Sequence, residues 1–291
     1  MSDRDSELYQ AILQRRSTRR YDPRPLDDGL VDRIARLAPE ARPLAEGNAF
    51  DCRLVRRAEK EDLSAFLGMY GALVSVPHLL VPHIVGGRHA LMDLGFRMEQ
   101  VAVRLTAMGL ASCFIGALSS VEGVNRRFGL PGDAVVGAAL AVGRAPENPG
   151  SKAVNAIVRG VAGGTGRRPM DALCFDAEPA AAGDPPPAWD AVLEAGRWAP
   201  SARNVQPWRF VHAGDLLDVA VLRRARRYGH QQAYRWFDAG ACLGNMHLAA
   251  MSAGRWLAID LGEAGRALAL GDQDLELAAT VRLAAAPDEV S

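Results

Sequence analysis

Asp93-Leu94-Gly95-Phe96-Arg97-Met98-Glu99-Gln100-Val101-Ala102-Val103-Arg104-Leu105-Thr106-Ala107-Met108-Gly109 decides the fold, because residues 238–254, DAGACLGNMHLAAMSAG, repeat its plan. Each stretch opens on Asp-x-Gly and closes, after the same number of residues, on a glycine. Between these ends the first carries Met98, Val101, Ala102, Leu105 and Met108 at helical spacing, and the second carries Leu243, Met246, Leu248, Ala249 and Ala250. So many apolar positions predict helices buried on most of their surface. The closing glycines suit the left-handed cap that ends a helix. Two alike buried helices point to an internal duplication.

The echo continues outward from both helices. Leu30, Val31, Ile34 and Leu37 predict a helix ending at Ala38-Pro39, and Val192, Leu193 and Trp198 one ending at Ala199-Pro200. A strand follows each, from Phe50 to Val55 and from Trp208 to His212. An apolar β-type run from Val135 to Val142 closes at Ala145-Pro146-Glu147, and one from Ala278 to Ala285 closes at Ala286-Pro287-Asp288. The proline-rich segment around Pro185-Pro186-Pro187 cannot continue a helix or a central strand, so it is expected to be a linker. The organisation predicted is an α+β chain with a first half over residues 1–176, a linker over 177–188 and a second half over 189–291. Such a chain is a pseudo-two-fold dimer fused into one polypeptide, and ligand sites favour the seam between such halves. Fusion makes a monomer with an internal pseudo-two-fold sufficient to build one site and leaves a homodimer open.

Bulk properties narrow the partners. Of 291 residues 34 are basic and 34 acidic, so no overall field draws in nucleic acid or an anionic bilayer. The polar start Met1-Ser2-Asp3-Arg4-Asp5 does not resemble a signal peptide, and no apolar run reaches membrane-spanning length. Cys52, Cys113, Cys174 and Cys242 include no close pair of the kind metal sites and redox dithiols use; they are expected to be buried free thiols in a reducing cytoplasm.

Two segments carry candidate chemistry. Ser6 is expected to cap a helix containing Leu8, Ile12 and Leu13 that runs into Arg15-Arg16-Ser17-Thr18-Arg19-Arg20-Tyr21-Asp22-Pro23. Thr18 and the coming prolines favour extended chain, which places Ser17 and Arg19 on one face and Thr18 and Arg20 on the other. Such a face can chelate a phosphate; a solvated basic turn is the alternative. The second segment, Pro200-Ser201-Ala202-Arg203-Asn204-Val205-Gln206-Pro207-Trp208, is a loop of restricted shape before a strand. Asn204 and Ser201 could bond the edge of a planar heterocycle, or Asn204 and Gln206 could satisfy the loop's own backbone.

Three other features are read as ordinary. The glycine-rich run at residues 160–166 is followed by Arg167-Arg168-Pro169 where a nucleotide-binding motif would have an apolar helix. His78 and His83 are an odd number apart in one strand and face opposite ways, so they cannot share a metal. The dense run Arg223-Arg224-Ala225-Arg226-Arg227 is expected to be a solvated helix face, with docking of NADPH phosphates as the sharper alternative.

The first segment resembles the Arg-x-Ser-x-Arg/Lys opening of the nitroreductase family, and the second resembles its Pro-Ser-x-x-Asn-x-Gln-Pro-Trp segment. The run from Met108 to Gly116 is similar to the helix end and strand that passes the flavin ring. Each half keeps only one of the first two motifs, with Glu40-Ala41-Arg42-Pro43 standing where the first half would carry the second; that arrangement resembles the fused "putative TM nitroreductase" subfamily. The resemblance implies a nitroreductase-like fold with one FMN per chain. It implies that Arg15, Arg16 and Ser17 bind the phosphate and ribityl chain and that Arg19 supports the ring electrostatically. It further implies backbone donors at Ile115 and Gly116, ring contacts from Pro200, Ser201, Ala202 and Asn204, and completion of the phosphate site by Arg167 and Arg168. No catalytic side chain is implied beyond these, because the flavin carries the chemistry. The activity implied is hydride transfer from NAD(P)H, NADPH included, to a small electron acceptor such as a nitroaromatic or quinone. A flavin-binding or flavin-storage protein without turnover is the alternative, and a scaffold without cofactor a further one.

Overall fold

A computed structural model describes residues 3–58, 60–67, 76–147, 166–177 and 187–285. The order of elements is α1 (Asp3–Gln14), α2 (Asp28–Leu37), β1 (Ala49–Arg56), α3 (Lys60–Leu67), β2 (His78–Val85), α4 (Ala90–Ala107), β3 (Leu110–Gly116), α5 (Val121–Phe128) and β4 (Ala138–Arg144). Then come β5 (Cys174–Asp176), α6 (Asp190–Arg197), β6 (Trp208–Ala213), β7 (Leu216–Leu222), α7 (Tyr234–Ser252), β8 (Arg255–Asp260), β9 (Ala267–Leu270) and β10 (Gln273–Ala285). The strands form two sheets, ordered β1-β2-β4-β3 and β5-β6-β7-β10-β8, with β9 on β10. Strand for strand, the β6-β7-β10-β8 core repeats β1-β2-β4-β3, so the duplication is structural as well as sequential.

The two long helices meet at the centre, and their Asp-x-Gly openings explain why. A Cβ on Gly95 would lie 2.0 Å from Phe237 O and 3.1 Å from Ala241 N, and a Cβ on Gly240 would lie 1.9 Å from Met92 O and 2.8 Å from Phe96 N. Gly95 corresponds to Gly240, Met92 to Phe237 and Phe96 to Ala241, so the contacts are exchanged by a pseudo-two-fold axis through the crossing. Glycine is required on both helices because backbone meets backbone there. The aspartates are equivalent too. Asp93 accepts from Leu44 N at 2.7 Å and Asn48 Nδ2 at 2.8 Å, while Asp238 accepts from Ala202 N at 3.0 Å, so each pins the loop after the preceding short helix of its half.

Local signals account for the smaller elements. Asp27 caps α2 by accepting from Leu30 N at 2.9 Å. By contrast, α1 begins at Asp3, which puts Ser6 inside the helix and not at its cap. The strand expected from Val135 starts at Ala138, because Val135 makes only an isolated bridge to Ile84. The run 223–227 is extended chain leading into one 3-10 turn at Arg226–Tyr228, not a helix; Arg223 N donates to Asp274 O at 3.0 Å, prolonging the β7–β10 pairing. His78 and His83 both lie in β2, on opposite faces.

The halves interlock beyond the helix crossing. β5, on the first side of the linker, pairs parallel with β6 of the second sheet. Ala11 and Ile12 of α1 are buried in the same core as Trp208, Phe210 and Leu243. Residues 178–186 of the linker, residues 160–165 of the glycine run and the closing Ala286-Pro287-Asp288 lie outside the described residues. None of the four cysteines forms a disulfide; Cys113 and Cys242 are buried, whereas Cys52 and Cys174 are half-buried at the edges of their sheets. Among the described residues no helix is long and apolar enough to cross a membrane.

Candidate functional site

After α1 the chain straightens, and Thr18 N donates to Ser112 O at 3.0 Å, so Ser17 pairs in parallel with Ser112 on the free edge of β3. Alternation then turns Ser17 and Arg19 toward a cavity of about 390 Å³, while Thr18 is buried on the other side. Pro200, Ser201, Ala202 and Arg203 of the second half line the opposite wall, with Gly116 and Cys113 beside Ser17. The two segments that carry the candidate chemistry, remote in sequence, therefore share one cavity at the intramolecular seam.

Residues that the sequence did not single out complete it. Tyr228, Tyr234, Phe237 and Asp238 come from α7 and the turn before it. Tyr234 Oη accepts from Leu118 N at 3.1 Å and lies so close to Gly116 that a Cβ there would be 2.2 Å away. Tyr228 Oη donates to Asp238 Oδ2 at 2.6 Å, inside the protein. Burial raises the Asp238 carboxyl to about 7, partly offset by the bonds from Tyr228 and Ala202. Asp238 was visible in the sequence only as a member of the repeat.

Beside the cavity three guanidinium groups converge. Arg15 is 3% exposed, with Nε 3.2 Å from Glu99 Oε1 on α4. Arg16 lies over the Trp198 ring at 4.4 Å and Arg167 over the same ring at 5.4 Å. Arg167 Nη1 donates to Asn204 Oδ1 at 2.8 Å and Nη2 to Trp198 O at 2.9 Å. Burial, and then the Arg15 and Arg16 charges, lower the Arg167 guanidinium to about 10 against the pull of Glu99. Glu99, fully buried, is raised to about 7 by desolvation, against the pull of Arg15 and Arg167. Arg15 Nη1 and Arg167 Nε are buried without a hydrogen-bond acceptor among the described residues. Crowded cations with unused donors make a place for an anion.

The loop at residues 200–206 is held in an unusual shape. Arg203, Asn204 and Gln206 have φ of 52°, 53° and 51°, three of the five positive-φ non-glycine residues among those described. Such backbone persists only where the surroundings over-determine it. Here Asn204 Nδ2 and Gln206 Nε2 both donate to Gly166 O, at 2.9 and 3.2 Å, and Gln206 Oε1 accepts from Arg168 N at 2.8 Å. The two amides thus clamp the segment that presents Arg167, instead of serving their own loop. Arg168 itself is exposed. Ile115 is buried in the first half's core and does not line the cavity. Ala117 N donates to Gly137 O in register with the β3–β4 pairing, so alternation points the Ile115 N–H at β4 and the Gly116 N–H at the free edge.

The family model described as "Putative TM nitroreductase" matches residues 7–262. The crystal structure of a "putative nitroreductase" from Thermotoga maritima is similar over 93% of this chain and 92% of its own, with a TM-score of 0.54 at 20% identity, which identifies the fold. A nitroreductase with bound FMN from Desulfitobacterium hafniense aligns with 51% of this chain and 92% of its own, at a TM-score of 0.42 and 23% identity. An NADPH:FMN oxidoreductase from Vibrio harveyi complexed with NAD+ aligns with 49% of this chain and 70% of its own, at 0.41 and 22%. No functionally curated sequence gives a significant match.

Proposed function

Because the chain belongs to the family described as "Putative TM nitroreductase", we propose that it is an FMN-dependent oxidoreductase passing a hydride from NAD(P)H to a small electrophilic acceptor such as a nitroaromatic or quinone. The observation that carries this reading is the meeting of Ser17 and Arg19 with the 200–203 loop on one cavity flanked by the Arg15, Arg16 and Arg167 cluster. The residues fit the cofactor. Its phosphate would engage the unused donors of Arg15 and Arg167, and the cavity falls within the roughly 300–1,000 Å³ of small-molecule sites.

When bound, FMN supplies the redox chemistry, accepting a hydride from NAD(P)H and returning it to the acceptor. The protein supplies binding, orientation and charge. Arg16 adds positive charge to the phosphate cradle, and Asn204 holds Arg167 in place. Ser17 offers a hydroxyl on the ribityl side, and Arg19 sets a cation in the cavity that favours negative charge developing there. Gly116, with its N–H on the free edge of β3, is the backbone donor we assign in preference to Ile115. Pro200, Ser201 and Ala202 form the ring wall contributed by the second half. Tyr234 has accepted from Leu118 N–H and keeps its own proton to donate into the cavity; burial raises its phenol, so it stays protonated at neutral pH.

The same proposal makes the chain a cytoplasmic pseudo-dimer in which residues 177–188 join two halves and one polypeptide completes one site. An absorbance spectrum of the purified protein followed by anaerobic NADPH tests it. Flavin bands that bleach on addition, then recover with a quinone, are expected. Bound flavin that NADPH leaves unbleached would make the protein a flavin store, and a chain that takes no FMN would end the proposal.

A further inference from the structure

The pseudo-two-fold relates part of the first cavity's lining to that of a second cavity. It is about 330 Å³ and is lined by His89, Leu91, Met92, Val135, Trp236 and Ala264 among others. Three of its lining residues are the counterparts of residues that line the first cavity. His89 corresponds to Tyr234 and Met92 to Phe237 at the starts of α4 and α7. Ala264, beyond β8, corresponds to Ser119, beyond β3. The chemistry, however, has changed. No lysine, arginine, aspartate or glutamate lines the second cavity, and the second half has no Arg-x-Ser-x-Arg segment to place cations beside it.

We propose that this second cavity is a binding site for a flat, uncharged aromatic compound that carries no phosphate. The inference rests on the pseudo-symmetry and the lining, not on the flavin assignment of the first cavity. Trp236, Leu91, Met92 and Val135 give apolar surface suited to a planar ring, through stacking and sulfur–aromatic contact. His89 is the one titratable group on the lining. Burial, then the Arg88 charge, lowers its pKa, so it offers a neutral ring to one polar edge of the ligand. Its backbone is left-handed, φ 56° and ψ 30°, at the N-cap of α4, yet its side chain makes no capping bond. A non-glycine residue held so without a side-chain cap resembles Arg203, Asn204 and Gln206 in the loop at the first cavity. A phosphorylated flavin would find no arginine or lysine on the lining here, which separates the two sites by ligand class.

The test uses the full-length protein saturated with FMN, so that the first cavity is filled, and lumichrome, a neutral tricyclic ring without ribityl phosphate, as the probe in equilibrium dialysis. One lumichrome per chain is expected. Ala264→Trp and, separately, Leu91→Trp should each weaken it at least tenfold while FMN content and the circular dichroism melt stay unchanged. Absence of lumichrome binding to the FMN-saturated protein, or wild-type affinity in both variants, overturns the proposal. Should FMN itself not bind, the flavin assignment fails on its own. The second site then still requires one lumichrome equivalent on the bare protein that both tryptophan variants abolish, and its absence would be decisive.

Discussion

Gly240→Ala probes the helix crossing on which both cavities depend. The added methyl would sit 1.9 Å from Met92 O and 2.8 Å from Phe96 N, both backbone atoms that no rotamer change can move. Restoring an unstrained contact of roughly 3.5 Å would part α4 and α7 by about 1.5 Å. Overpacking of well-packed sites costs about 1–3 kcal/mol, and a clash against backbone belongs at the upper end, near ~3 kcal/mol. For a chain of this size that corresponds to a melting temperature lower by roughly 5–10 °C. Gly95→Ala should cost nearly the same, because its methyl would meet Phe237 O at 2.0 Å through the exchanged contact. Gly132→Ala, with nothing within 4 Å of the new carbon, is the control and should change stability by less than about 0.5 kcal/mol. The assay is thermal unfolding followed by circular dichroism. Melting of Gly240→Ala with wild type, or a drop in the control as large as in the helix variants, refutes the pseudo-symmetric crossing.

Further predictions concern the charges. Arg15→Leu removes the guanidinium paired with Glu99, leaves only the Arg167 charge to oppose its burial and should cost about 3–5 kcal/mol, most of it recovered in Arg15→Leu/Glu99→Leu; urea midpoints no better in the double variant would disprove the pairing. Because burial raises Glu99 to about 7, its contribution to stability is fully present below about 4.5, the ordinary glutamate value, and is lost as pH rises through 7. Glu99→Gln should therefore gain on wild type between pH 5 and pH 8 in denaturant titrations, and a constant difference would show that Glu99 does not titrate there. Asn204→Ala releases Arg167 and should raise the FMN dissociation constant about tenfold, near 1.4 kcal/mol, with an unchanged constant ruling out the clamp. Arg223 is already committed to Glu276 at 3.2 Å and Asp274 at 3.7 Å, so Arg223→Ala/Arg224→Ala should alter the KM for NADPH and for NADH alike. A selective rise for NADPH would restore the docking patch.

What could be read from the sequence was what local rules encode. The repeated helices announced themselves through glycines and apolar periodicity, and the extended 17–19 segment through Thr18 and the prolines that follow. Strand alternation alone put Ser17 and Arg19 on the face that lines the cavity. Long-range pairing hid the rest. Glu99 has the look of an ordinary polar helix position until the crossing of α4 and α7 buries it beside Arg15. Asn204 and Gln206 were readable as loop residues, but their partner, Gly166 O, belongs to a segment with no periodicity of its own. β5 is three residues long, too short to show an alternating pattern, and only its pairing with β6 reveals that the first half's tail crosses to the second sheet. The run 223–227 was misread as a helix because its charge pattern is compatible with one, while the pull of the β7–β10 ladder is not written locally.

Titration of FMN into the intact apoprotein, with stoichiometry read from the flavin spectrum and mass from light scattering, tests the seam most directly. One FMN per chain is predicted, whether the chain is alone or self-associated, since Ser17 and Arg19 from one half and residues 200–203 from the other meet within a single polypeptide. Half an equivalent would mean that two chains share a site, two equivalents that both cavities hold flavin nucleotide, and no binding that the arginine cluster serves something else; any of these would contradict the account.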